Sequence, residues 1–117
     1  MARDTQRKGD IAVAHAVASM TELGYDVLLP ITESAEYDIV VDDGDGLHRV
    51  QCKYISGNIV DLRKIHSNSQ GYVVKLYSSN AFDWLYVYSK ESGEYLYKYF
   101  VGQKYLTMKS ENKLIAS

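Results

Sequence analysis

Three side chains in the stretch EYDIVVDDGDGLHRVQCKY, residues 36–54, are of types that can carry hydrolytic chemistry: Asp38, Gln51 and Lys53. The acid opens an apolar run, and the amide and amine interrupt the run that returns after a glycine-rich turn. A carboxylate and an amide oxygen are hard donors of the kind Mg²⁺ binds while it keeps several waters for a substrate phosphate. A cation held in this way polarises a phosphodiester and lowers the pKa of a bound water. A lysine close by stabilises developing negative charge or orients the attacking water. If the three side chains converge, phosphodiester hydrolysis is the chemistry they suit.

Convergence depends on the hairpin. A turn centred on Gly44–Asp45 makes cross-strand partners whose numbers sum to 89, so Val40 faces Arg49 and Asp38 faces Gln51. Directly opposed residues have Cβ atoms roughly 4.5–5.5 Å apart, which brings two oxygen ligands into one small volume, with Glu36 and Lys53 as the next pair. Because side chains alternate along a strand, Tyr37, Ile39, Val41, His48, Val50 and Cys52 share the expected core face. A one-residue slip would turn that apolar set to solvent, so the register is well specified.

The surrounding elements follow from periodicity. KGDIAVAHAVASMTELGY places Val13, Ala16, Val17, Met20 and Leu23 on one helical stripe and His15, Ser19 and Glu22 on another, with Gly24 as the stop. YDVLLPI is a short strand that Pro30 ends or confines to an edge. GNIVDLRKIH fits a strand or a short helix. GYVVKLYSS, FDWLYVYSK and EYLYKYF fit three further strands, the last two joined by a turn at residues 91–93, and QKYLTMKSENKLIAS holds a strand or a short helix. The expected architecture is α/β: a mixed sheet with an N-terminal helix packed on one face and a central β-hairpin.

At 117 residues and 46% hydrophobic, the chain suits a single domain spanning 1–117. No apolar run is long enough to span a bilayer, and MARDTQRKGD lacks the apolar core of a signal peptide. The single cysteine, Cys52, makes no internal disulfide, and a cytoplasmic, intracellular location is the simple expectation. One cysteine and three histidines without close spacing argue against a structural zinc site. A net charge of −2 excludes a whole-molecule basic field, so any nucleic-acid contact must come from a local patch.

The order of a helix opened by KGD, then YD on a strand, then VQCKY on the next resembles the PD-(D/E)XK nuclease superfamily. The form carried by Glu33, Tyr37, Asp38, Arg49, Val50, Gln51 and Lys53 most resembles its group I intron homing-endonuclease and Holliday-junction-resolvase-like branch, in which Gln can replace the acid of the second element. The resemblance covers residues 8–54. It implies a restriction-endonuclease-like fold and a DNA endonuclease dependent on Mg²⁺ or Mn²⁺, with Asp38 the central metal ligand, Gln51 a second ligand and Lys53 the catalytic lysine. Many relatives carry a glutamate on the first helix, where this chain has Val13. Asp10, one turn earlier, is one substitute, and Glu33 in the loop before the strand is the better one, as a third metal ligand and catalytic residue.

Arg7 and Lys8 at the amino end, and Arg63 and Lys64 in the second half, are the expected DNA contacts, with Arg3 and His66 beside them. Paired cuts need two sites, so a homodimer or higher homo-oligomer is expected. The eleven tyrosines, most of them after residue 70, suggest an aromatic sheet edge suited to self-association. Two other readings stay open: a DNA-binding protein of the same fold that cuts weakly or not at all, and a small oligomeric accessory protein.

Overall fold

The computed structural model describes residues 2–68 and 70–114; the side chains of residues 2, 3, 64–68 and 73 lie outside that description. Helix α1 runs Ala2–Glu22 because Ala12, Ala16 and Met20 recur at helical spacing and bury completely against the sheet. It ends where Gly24 takes φ +88°. There the Tyr25 amide donates to the Met20 carbonyl (3.1 Å) and the Gly24 amide to that of Thr21 (3.0 Å), which satisfies the last carbonyls of the helix.

A five-stranded sheet carries the helix. Its strands are β1 (Asp26–Leu28), β2 (Ile39–Asp42), β3 (Leu47–Ile55), β7 (Trp84–Ser89) and β8 (Gly93–Tyr97), in spatial order β1-β2-β3-β7-β8. All neighbours are antiparallel except β3 and β7, which run parallel with Val50 beside Trp84 and Lys53 beside Val87. The β2–β3 register pairs Val40 with Arg49 and Ile39 with Val50, the expected sum of 89. The aspartates of the turn explain its stability. Asp42 accepts from the Gly44 amide (2.9 Å), and Asp43 accepts from the amides of Asp45 (2.9 Å) and Gly46 (3.0 Å) and binds His48 Nε2 at 2.9 Å.

Between β3 and β7 the chain makes a long excursion through β4 (Ile59–Asp61), β5 (Arg63–Asn68) and β6 (Gly71–Leu76). Strand β4 pairs with β9 (Tyr105–Thr107), and β5 pairs with β6, as two separate two-stranded ribbons. Of the two alternatives for GNIVDLRKIH, strand or short helix, the strand forms, and the strand expected from GYVVKLYSS forms as well but does not join the main sheet. A short 3-10 turn at Ser110–Asn112 closes the described chain, so QKYLTMKSENKLIAS holds both of the expected alternatives.

Two apolar clusters lie on opposite faces of the sheet. The helix-side cluster contains Ala12, Ala16, Met20, Ile39, Val41, Val50, Cys52, Trp84 and Tyr86. The far-side cluster contains Val60, Leu62, Phe82, Leu85, Val87, Tyr95, Phe100 and Met108. Two sequence expectations are corrected here. Tyr37 packs on the far-side cluster, not the helix-side one, because β2 begins only at Ile39 and residues 36–38 are bends that do not extend the alternation. Ser19, assigned to a polar stripe, is buried and donates to Glu94, which also accepts from the Tyr86 hydroxyl.

Candidate active site

Alternation along β3 puts Val50 and Cys52 on the helix side and sends Arg49, Gln51 and Lys53 to the other face. Asp38 joins them by completing the ladder with its side chain. Its amide donates to the Val50 carbonyl (2.9 Å), and its Oδ2 accepts from the Cys52 amide at 2.8 Å, where a backbone carbonyl of β2 would otherwise stand. The carboxylate is thereby fixed against β3 next to Gln51 and Lys53.

Desolvation dominates the electrostatics. Burial pushes the Asp38 carboxyl above the usual carboxylate range, against the pull of the Cys52 amide and the Lys53 charge. Burial also pushes Lys53 below the usual lysine range, although the charges of Asp38 and Asp61 favour its ammonium form. Tyr77 is raised, first by burial and then by the charges of Asp38 and Glu36. Lys53 Nζ donates to the Tyr77 hydroxyl at 3.4 Å and stands 5.3 Å from its ring centroid. An acid, an amine and a phenol, each half-buried, thus share one place at the rim of the far-side cluster, against which Tyr77 packs.

Gln51, half-buried, directs Nε2 toward the Cys52 carbonyl at 3.5 Å, a weak contact that leaves its oxygen for another partner. Glu33 is exposed, in the turn within residues 31–38. Val13 packs against the helix-side cluster and supplies no ligand. Asp10 is exposed and lines a shallow cleft with Gln6, Arg7 and Ile11. Among the described residues no group of three His, Cys, Asp or Glu converges as a metal site. On this face Asp38 Oδ1 and the Gln51 oxygen could hold a cation, with water completing its shell. That donor set fits Mg²⁺, which takes one or two carboxylates and retains its waters, better than zinc.

Two neighbours escaped the sequence reading. Tyr77 is 24 positions from Lys53, and no local pattern predicts their meeting. Asp61 had a local signal, since Asp61 and Arg63 are two apart on an extended chain and so lie on one side. Their ion pair closes at 2.7 Å and holds the Asp61 carboxyl down at about 2. Arg63 also lies 5.2 Å from the Tyr105 ring centroid. Of the other expected DNA contacts, Lys8 Nζ lies 5.8 Å from the ring centroid of Tyr54, on the helix side and across β3 from Lys53, and Arg7 is exposed. The side chains of Lys64, Arg3 and His66 lie outside the described residues.

Arg49 bolts β3 to β7. Its amide and Nε reach Asp83 Oδ2 at 2.9 and 3.2 Å, its Nη2 reaches Oδ1 at 3.2 Å, and the Asp83 amide returns to the Arg49 carbonyl at 2.8 Å. The guanidinium holds the Asp83 carboxyl below its usual range.

Residues 3–113 match the family described as PD-(D/E)XK endonuclease. A solved structure of a bacterial homing endonuclease, I-Ssp6803I, superimposes with a TM-score of 0.76 at 28% identity, over 91% of this chain and 78% of that one. No curated protein matches the chain.

Proposed function

Since the chain belongs to the PD-(D/E)XK endonuclease family, we propose that it hydrolyses DNA phosphodiesters at Asp38, Gln51 and Lys53 with Mg²⁺ or Mn²⁺ as cofactor. The observation that carries this reading is the Asp38 carboxylate, tied by the Cys52 amide at 2.8 Å and sharing a half-buried place with the Lys53 ammonium on the far face of β3. A structural ion pair on a solvated face has no need of that burial, whereas a site that must strengthen its electrostatics against water does.

Asp38 and Gln51 would hold the divalent cation, and Glu33, exposed in the turn before β2, would add a third oxygen. When bound, the cation polarises the phosphodiester and lowers the pKa of an attached water. Asp38 keeps one oxygen on the Cys52 amide, so its other oxygen is held in a fixed direction. Lys53, steadied by Tyr77, presents its ammonium to the phosphate oxygens as negative charge develops. Partial burial of both groups makes their fields stronger than in bulk water. Arg63 and Lys64 contact backbone phosphates beside the site, Arg7 and Lys8 reach phosphates only where the DNA passes the helix side, and a homodimer supplies the second cut.

The similar homing endonuclease favours duplex DNA as substrate, and selectivity for a branched junction is the finer alternative. Incubating the protein with duplex fragments, supercoiled plasmid and a four-way junction, in Mg²⁺, Mn²⁺ or EDTA, tests the reading. Cutting in metal that EDTA abolishes is expected, and the preferred DNA identifies the substrate. Salt-sensitive binding with no cutting in either metal would replace it with a DNA-binding protein that does not cleave. A stable oligomer with neither activity would leave the accessory reading.

A further inference from the structure

We propose that the β5–β6 ribbon enters the major groove of duplex DNA beside the scissile phosphate and sets where the protein binds. This rests on the endonuclease reading above and assigns substrate recognition to one element of the fold.

The charge distribution is the first observation. The chain has 15 acids and a net charge of −2, yet residues 62–82 contain no Asp or Glu. It is the longest acid-free stretch in the sequence, and it carries Arg63, Lys64 and Lys75. Register places Lys64 opposite Lys75 and Arg63 opposite Leu76, so the cations cluster toward the base of the ribbon. Where the two strands meet in the sequence, Asn68 and Gln70 supply two amides. Such groups pair with the donor and acceptor edges that bases present in the major groove.

Exposure is the second. Lys75 is exposed, and so are Tyr72, Val74 and Leu76, at 79%, 52% and 50% of their surface. These three alternate along β6 and therefore share a face. A two-stranded ribbon that leaves such a face to solvent is marginally stable by itself, so seating it in a groove adds to its stability. Apolar side chains in a groove meet thymine methyl groups, and long lysine arms reach the phosphates on either wall.

Position and size are the third. Both ends of the ribbon are rooted at the candidate site. Arg63 grips Asp61, whose charge acts on Lys53, and Tyr77, directly after β6, receives the Lys53 hydrogen bond. Six paired residues extend roughly 20 Å at about 3.4 Å each, or about six base steps. Two strands about 4.8 Å apart fit a groove about 12 Å wide.

The test uses the full chain and three variants: Lys64→Ala/Lys75→Ala, Tyr72→Ser/Val74→Ser, and a ribbon in which residues 66–73 are replaced by a Gly-Gly turn. None of the described residues among these belongs to either core cluster, and an unchanged melting temperature verifies folding. The probe is duplex fragments that the parent cuts, with affinity measured against salt and guanine N7 protection mapped by dimethyl sulfate. In the parent, protection is expected over about six base pairs next to the cut. The shortened ribbon should lose it, and the double lysine variant should reduce the salt slope by roughly two for each subunit bound. Parental protection and salt slope in all three variants would overturn the proposal. So would a change of oligomer mass in Tyr72→Ser/Val74→Ser with DNA binding intact, since the ribbon would then join copies of this chain. A parent that neither binds nor cuts duplex DNA would instead bring down the endonuclease reading on which the proposal stands.

Discussion

The two faces of β3 are built from the same nine residues to opposite ends. On the helix side, Val50 and Cys52 are sealed under α1 with Ile39, Val41 and Tyr86, and the polar groups there close on one another. The Glu94 carboxylate accepts from both Ser19 and Tyr86, and no described buried side-chain polar atom lacks a partner. On the far side the apolar cluster stops short, and Asp38, Lys53 and Tyr77 are left half-buried at its rim, where burial shifts each toward its neutral form. The difference teaches where the fold spends its stability. One face satisfies its polar groups and gains cohesion, while the other holds charged groups in a place they disfavour, the arrangement expected of a site that acts on something else.

That contrast can be broken at several strengths. Met20→Ala empties part of the helix-side cluster and should cost about 2–5 kcal/mol, read as a fall in the urea midpoint, while the cleavage rate per folded molecule stays near parental. Tyr86→Phe removes one of the two donors to Glu94 and should cost about 1–2 kcal/mol, again without a change in cleavage. Asp83→Asn weakens the bolt between β3 and β7 and should cost about 1 kcal/mol, because the pair is partly solvent-screened. Its effect has a pH signature. The folded Asp83 carboxyl titrates below its unfolded value, so its contribution is complete above about pH 4 and is lost as pH falls through the lower folded value. Melting curves from pH 6 down to pH 2 should therefore show parent and variant converging only at the acid end.

Much of this comparison was legible in the sequence, and the failures have definite causes. Period-two alternation and the DDGDG turn specified the hairpin register, and with it the neighbourhood of Asp38, Gln51 and Lys53. Alternation was carried one residue too far at Tyr37, where bends replace the strand. Helical periodicity found the buried stripe of α1 but misplaced Ser19, since a small hydroxyl can bury when a distant acid receives it. The parallel pairing of β3 with β7, the detour through β4–β6 and the arrival of Tyr77 at Lys53 are all long-range. Each depends on how separate strands are laid beside one another, which local spacing does not encode. Val13, at the position where many relatives carry an acid, was visible from the start, and the structure places it among apolar neighbours.

The most direct test of the account is the metal-dependent cutting rate of Asp38→Ala and Lys53→Ala beside the parent, on the DNA the parent prefers, with melting curves to establish that each is folded. Loss of about 10²–10³-fold in rate for each, with melting temperatures close to parental, is the predicted result. Folded variants that cut as fast as the parent would show that hydrolysis takes place somewhere other than this face of β3.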